Sequence, residues 1–171
     1  MRPRHLVVMG VSGTGKTTIG ETLAARLDSV FVEGDTYHPR ANVEKMSKGI
    51  PLDDDDRRPW LDVLGTEIQR QEALGRTSVT ACSALRRRYR DWLRDGYADL
   101  FFLHLDADYD TLHRRMERRE HFMPASLLRS QFDTLEPLET DEAGAAIDDT
   151  RPIDAVLTQC LDAVAAQGDR S

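Results

Sequence analysis

Apolar and polar positions follow two different rhythms along this chain. Five short runs are apolar with little interruption: His5–Met9, Val30–Glu33, Ser78–Cys82, Leu100–Leu105 and Ala145–Asp148. The first four are rich in Val, Leu and Phe and lack the every-second-residue polarity of a strand with one wet face. Such strands are covered on both faces, as in a parallel sheet. The fifth run is the weakest of these strand candidates, and loop is the alternative. Helical spacing fills the intervals. Over Thr17–Leu27, the residues Ile19, Leu23 and Leu27 recur four apart and form one stripe. Over Arg58–Leu74 the stripe is Leu61, Leu64, Ile68 and Leu74, with Pro59 in a first turn that tolerates it. Leu85–Arg94, Tyr109–Arg119, Ala125–Thr134 and Pro152–Ala166 complete the set. Strand–helix alternation predicts a doubly wound α/β fold with right-handed crossovers. The 171 residues make most simply one domain.

Two stretches interrupt the alternation. Asp35–Arg58 lies between the second strand and the long helix that follows, and Arg114–Leu138 lies between the fourth and fifth strands. In a doubly wound sheet, ligands sit beyond the carboxyl ends of the strands. Both stretches begin near such ends, so one is placed to cover an acceptor substrate and the other to close over phosphates.

The sharpest local signal is Gly10-Val11-Ser12-Gly13-Thr14-Gly15-Lys16-Thr17, which follows the first apolar run and opens the first helix. This is a complete G-x-x-x-x-G-K-[ST] phosphate-binding loop in its strand–loop–helix context. Glycines let successive backbone N–H groups face one centre, and the helix adds its positive end. Gly10, Val11, Ser12, Gly13, Thr14, Gly15, Lys16, Thr17 and Thr18 are therefore the expected nucleotide-binding residues. Lys16 is expected to reach the β- and γ-phosphates of a nucleoside triphosphate, and the Thr17 hydroxyl to bind Mg²⁺. The loop predicts triphosphate binding but leaves the fate of the γ-phosphate open.

Composition narrows the class. Hydrophobic residues are 40% and charged residues 31%, ordinary for a globular chain. A formal net charge of −7 weighs against sequence-independent nucleic-acid binding, which needs a basic face. Cys82 and Cys160 form no C-x-x-C pair, so neither a disulfide framework nor structural zinc is indicated, and a reduced, cytoplasmic setting is expected. No run approaches the roughly 20 apolar residues of a membrane span.

Several residues are placed to carry chemistry. Asp35 follows the second strand within Glu33-Gly34-Asp35, where a carboxylate can face the phosphate loop and orient an attacking hydroxyl. His38-Pro39-Arg40 comes next, and Arg40 is a candidate grip on a substrate carboxylate. Asp53 to Asp56 form an acidic run that suits a helix N-terminus better than a metal site. Ser83 ends the third strand, and Arg90 on the next helix is placed to point inward. Asp106 ends an apolar strand as metal-binding aspartates do, but Asp106 or Asp108 better suits a cap on the next helix. Arg114, Arg115, Arg118 and Arg119, just before His121-Phe122-Met123-Pro124, are candidates for neutralising charge on a migrating phosphoryl group.

Taken together these segments resemble the gluconokinases, small phosphate-loop kinases similar to shikimate kinases and nucleoside monophosphate kinases. Beyond the loop the matching residues are Gly34-Asp35, His38-Pro39-Arg40, Asn42, Lys45-Met46, Pro51-Leu52, Asp54-Asp55-Asp56-Arg57 and Pro59-Trp60-Leu61. They continue with Cys82-Ser83-Ala84-Leu85, Tyr89-Arg90-Asp91, His121-Phe122-Met123-Pro124, Gln131-Phe132 and Thr134-Leu135-Glu136. The resemblance implies a five-stranded parallel sheet in the order 2-3-1-4-5, an acceptor-binding segment at about 35–60 and a lid at about 114–138. It implies ATP-dependent phosphorylation of D-gluconate at its C6 hydroxyl, and a homodimer. It makes Asp35, His38, Arg40, Arg57, Ser83, Arg90 and His121 the acceptor-site candidates, and Lys16, Asp35, Arg118 and Arg119 the catalytic ones. The lid entrance Arg118-Arg119-Glu120-His121 is one residue shorter than is usual in the family, and Arg129 stands where an acid is common. A kinase for a shikimate-like or nucleotide acceptor is the nearest alternative. A guanine-nucleotide switch is disfavoured, because the only asparagine is Asn42 and N-K-x-D is absent.

Overall fold

The computed structural model describes residues 2–118 and 125–170. Five strands form one all-parallel sheet: β1 (His5–Met9), β2 (Val30–Glu33), β3 (Ser78–Ala81), β4 (Phe101–Asp106) and β5 (Gly144–Asp148). Their order is β2-β3-β1-β4-β5, as the resemblance implies. Helices α1 (Lys16–Arg26), α2 (Arg40–Ser47), α3 (Asp54–Ala73), α4 (Arg87–Gly96), α5 (Tyr109–Glu117), α6 (Ala125–Thr134) and α7 (Ile153–Asp169) connect and cover them.

The unbroken apolar strands have the expected cause. All five residues of β1 are buried, and successive ones feed different cores. Val7 and Met9 pack with Leu61, Leu64 and Ile68 of α3 and with Leu93 of α4. Leu6 and Val8 pack with Ile19 and Leu23 of α1 and with Val156 and Cys160 of α7. Each fully buried Val or Leu contributes about 1.5–3 kcal/mol. A polar substitution in β1 has no wet face to turn toward.

The structure sharpens three local readings. The fifth run is a strand. It pairs with β4 over five positions, from Phe102↔Gly144 to Asp106↔Asp148. Its small residues suit a close approach, since a Cβ on Gly144 would lie 2.4 Å from the Phe102 carbonyl. Helix α3 begins at Asp54, four residues earlier than its apolar stripe indicates. Asp53 caps it, accepting from the Asp56 N–H at 2.8 Å, while Asp56 accepts from the Asp53 N–H at 3.0 Å. The acidic run is thus a capping box, and Pro59 lies inside the helix beyond its first turn. Finally, the stretch after β2 has structure of its own: a tight turn over Gly34–Tyr37, then α2.

Gly34 decides where that stretch begins. A Cβ there would lie 2.2 Å from the Ala81 carbonyl oxygen. Glycine alone lets the end of β2 rest against the end of β3. That contact delivers Asp35 to the sheet's carboxyl edge, beside the loop that follows β1.

Candidate active site

The loop between β1 and α1 takes its shape from three glycines with positive φ: Gly10 at 146°, Gly13 at 87° and Gly15 at 84°. Gly10 also passes so near β4 that a Cβ would be 2.8 Å from the Leu105 carbonyl. Hydrogen bonds fix the rest. The Thr14 hydroxyl donates to the Val11 carbonyl at 2.9 Å, and the Gly10 N–H donates to the Ser83 carbonyl at 3.2 Å. The Lys16 ammonium donates to the Val11 carbonyl at 3.0 Å. Burial pushes the Lys16 pKa down, opposed by the carboxylates of Asp35, Glu33 and Asp149. The Thr17 hydroxyl donates to Glu33 Oε2. Hydroxyl and carboxylate oxygens side by side are the hard donors that Mg²⁺ takes, so these two residues fit a Mg²⁺ ion.

A cavity of about 340 Å³ opens from this loop. Ser12 and Lys16 form its loop side; Asp35 and His38 come from the segment after β2, Arg57 from α3 and Ser83 from just past the end of β3. Trp60, Met46, Leu52 and Leu127 supply apolar wall, and Ser130 and Gln131 enter from α6. Arg57 is buried, and its Nη1 donates to the Tyr89 hydroxyl at 2.9 Å. Its guanidinium also lies 5.1 Å from the centre of the Tyr89 ring. The Tyr89 hydroxyl in turn donates to Asp54 at 2.5 Å. The His38 ring stacks on Trp60 at 3.9 Å, and the Trp60 indole N–H donates to the Gly34 carbonyl at 2.8 Å. Burial lowers His38 to about 4, with Asp35 opposing, so the ring is neutral at pH 7.

A second cavity, about 320 Å³, flanks the other side of the loop. Gly13, Gly15 and Thr18 line it with Arg115, Asp149 and Pro152. Arg115 donates to the Asp149 carboxylate at 2.7 Å and also to its backbone carbonyl. Burial pushes the Asp149 carboxyl up to about 6 against the pull of Arg115. A single phosphate loop therefore separates two cavities. One carries the Asp35 carboxylate and the Arg57 guanidinium on its far wall, and the other abuts the helix N-terminus.

Comparison with known proteins places this arrangement. Residues 6–138 match the family model described as an AAA domain. The thermosensitive gluconokinase of Escherichia coli (strain K12) is 46% identical over 168 residues, 97% of this chain and 90% of that protein. The gluconokinase of Gluconobacter oxydans (strain 621H) is 49% identical over 162 residues, 94% of this chain and 91% of that protein. This chain belongs to the gluconokinase family. The crystal structure of a gluconokinase from Sinorhizobium meliloti 1021 superposes with a TM-score of 0.90 at 40% identity, covering 98% of this chain and 95% of that one. A shikimate kinase from Acinetobacter baumannii, at 18% identity and a TM-score of 0.68, shares the fold.

Within this gluconokinase-family fold, the candidates from the sequence separate. Ser12 and Lys16 of the loop meet Asp35, His38, Arg57 and Ser83 around one cavity, while Gly13, Thr14, Gly15 and Thr18 line the other. Arg40 does not join them: its side chain is 92% exposed and pairs with Glu44 one turn along α2, at 3.2 Å. Arg90 is corrected from a substrate grip to a structural ion. It is fully buried, donates to Glu142 through Nε at 2.7 Å and Nη2 at 3.0 Å, and donates to the Ala84 carbonyl at 2.9 Å. No part of it lines the cavity. Arg118 is exposed at the end of α5, while Arg119 and His121 lie outside the described residues. Asp106 is exposed, and the cap of α5 is Asp108, which accepts from the Thr111 N–H at 2.7 Å. Arg129 lies over the Tyr109 ring at 4.0 Å, which ties α6 to α5.

Sequence reasoning assigned no role to Asn42, Trp60, Tyr89, Gln131 or Asp149. Gln131 accepts the Ser12 N–H at 2.7 Å, a contact between residues 119 positions apart. All but Asp149 lie in segments that carry the family resemblance, which was the available signal.

Proposed function

We propose that this chain transfers the γ-phosphoryl group of ATP to the C6 hydroxyl of D-gluconate, giving 6-phospho-D-gluconate and ADP. One observation carries the reading: Lys16 and Ser12 of the phosphate loop share a cavity with the Asp35 carboxylate and the buried Arg57 guanidinium. The loop side suits a donor phosphate. The far side suits a small acceptor that bears both hydroxyls and a negative charge. The curated relatives are named for gluconate, which has both.

Asp35 orients the C6 hydroxyl and takes its proton as the oxygen attacks phosphorus. The new P–O bond forms as the bond to the β–γ bridging oxygen breaks, and that electron pair leaves with ADP. Lys16 and the N-terminus of α1 stabilise the charge on the phosphates. Mg²⁺, held by Thr17 with Glu33 beside it, would supply further neutralisation of phosphate charge. Arg57 binds the gluconate carboxylate, while Ser83 and His38 hydrogen-bond its hydroxyls. The segment 114–138 closes over the site and excludes water, a competing acceptor. On the family resemblance Arg118 serves the γ-phosphate; the further candidates Arg119 and His121 lie outside the described residues.

A homodimer in the cytoplasm belongs to the same reading and rests on the family resemblance. Light scattering on the purified chain tests the dimer. Among the described residues no helix is long and apolar enough to cross a membrane. The deciding experiment is ADP release measured across sugar acids, shikimate and nucleoside monophosphates. Gluconate is expected to give the highest kcat/KM; preference for shikimate or a nucleotide overturns the acceptor assignment.

A further inference from the structure

The two nitrogens of His38 are not equivalent, and what the ring can do depends on which one carries the proton. The fold settles this through Asn42, a buried residue on α2 with 3% exposure. Its side-chain nitrogen donates to the Asp56 backbone carbonyl at 2.9 Å. A carbonyl only accepts, so the amide must turn its nitrogen and not its oxygen to that position. The same nitrogen lies 3.2 Å from His38 Nδ1. An amide NH₂ has donors only, so Nδ1 must accept. The proton of the neutral ring is then on Nε2. The ring is neutral because burial lowers its pKa to about 4.

The anchors on both sides are firm. Asp56 belongs to the α3 capping box, and its carboxylate takes the Lys45 ammonium at 2.8 Å. Trp60 holds the plane of the ring by stacking. Nε2 lies 4.0 Å from Asp35 Oδ1, and both residues line the cavity that contains Lys16.

We propose that Asn42 is a positioning residue that locks His38 as the Nε2–H tautomer, so that a fixed N–H donor stands beside the Asp35 carboxylate, a fixed acceptor, in the acceptor pocket. Each hydroxyl of a polyol both donates and accepts. A rigid donor next to a rigid acceptor therefore admits one orientation of two neighbouring hydroxyls and disfavours others. The hydroxyl that donates to Asp35 is the one poised to attack; its neighbour accepts from His38. The role in acceptor binding rests on the proposed function. The tautomer does not, since it follows from Asp56, Asn42 and His38 alone.

Two measurements test the two halves separately. Two-bond ¹H–¹⁵N correlation spectra report the tautomer, with His38→Gln identifying the signal by its loss. The wild-type ring is expected as Nε2–H, and a wild-type ring protonated on Nδ1 overturns the assignment. In Asn42→Asp, a carboxylate that can only accept should draw a proton onto Nδ1. For function, Asn42→Ala should raise the acceptor KM about tenfold, the value of one buried hydrogen bond, with the ATP KM within about twofold. In a His38→Gln background, where Asn42 no longer has an imidazole to set, the same substitution should add little. Full additivity of the two losses would show that Asn42 does not act through His38 and would overturn the positioning role. Absent turnover of gluconate by the wild-type protein would overturn the acceptor reading and leave the tautomer assignment standing.

Discussion

Arg90→Met distinguishes an arginine that holds the fold from one that holds a substrate. The substitution keeps most of the apolar volume and removes the guanidinium. Glu142 then loses contacts at 2.7 and 3.0 Å but keeps Arg94 Nη2 at 2.6 Å and the Glu139 N–H at 2.8 Å. The carbonyls of Ala84 and Pro137 lose donors at 2.9 and 3.3 Å. Ala84 has a positive φ of 45°, a strained geometry for a residue with a Cβ, so the Arg90 bond also secures the turn after β3. Removing one partner of a buried pair costs about 3–5 kcal/mol. The retained Arg94 contact places this case toward the lower end. At about 2–4 °C per kcal/mol for a chain of this size, the thermal midpoint should fall by roughly 6–16 °C. Calorimetry or circular dichroism measures it. The acceptor KM, taken well below the new midpoint, should stay within about twofold of wild type. An unchanged midpoint with a tenfold higher acceptor KM would refute the structural assignment and return Arg90 to the substrate.

The same pair predicts a pH dependence. Burial pushes the Glu142 carboxyl up, but hydrogen bonds from Arg90, the Glu139 N–H and Arg94 outweigh it and lower it from 4.5 to about 2. A carboxyl held lower in the folded state than in the unfolded one stabilises the fold fully above its unfolded value. That contribution is lost as pH falls from 4.5 through about 2. Glu142→Gln should therefore be less stable than wild type at pH 7, and the difference should shrink across this acid window. A difference that stays constant to pH 2 would exclude the linkage.

Three further outcomes are expected. Asp35→Ala should lower kcat about 10²–10⁴-fold while the ATP KM barely moves, as steady-state kinetics would report, and a wild-type kcat would remove Asp35 from proton transfer. Arg57→Met should raise the gluconate KM more than tenfold; an uncharged polyol of similar size, tested as a competitive inhibitor, should lose little affinity. Gly34→Ala should cost several kcal/mol in chemical denaturation, since its Cβ would sit 2.2 Å from the Ala81 oxygen, and a neutral result would contradict the close approach of β2 and β3.

The features that were legible in the sequence are those whose cause is local. β1 and β2 match their apolar runs residue for residue, because burial on both faces leaves a continuous signature. The phosphate loop is legible because its glycines answer to backbone angles within eight residues of chain. β5 was ambiguous because it offers little apolar surface; its pairing with β4, some 40 residues earlier, makes it a strand. The apolar stripe alone misplaced the start of α3, which the acidic run at its N-terminus marks with a capping box of two aspartates. The arginines were least legible. Arg40, Arg57 and Arg90 look alike in sequence, and their roles depend on partners as distant as Glu142, 52 positions from Arg90.

What separates those arginines is how near a carboxylate comes. Arg90 meets Glu142 directly, so its charge is neutralised within the fold and none faces a ligand. Arg40 meets Glu44 in water, where such a pair is worth little and directs nothing. Arg57 touches the neutral Tyr89 hydroxyl, which donates to Asp54, a carboxylate already paired with Arg88 at 2.6 Å. That aspartate's charge is taken up by Arg88 and Arg86, so it does not cancel the field of Arg57. Lys16 follows the same pattern: its hydrogen bond goes to the Val11 carbonyl, while Asp35, Glu33 and Asp149 act on it through space. In a chain of net charge −7, two desolvated cations with displaced counter-charges thus face one cavity. Such a cavity attracts anions locally although the molecule as a whole repels them, which suits a triphosphate donor at one end and a carboxylate-bearing acceptor at the other.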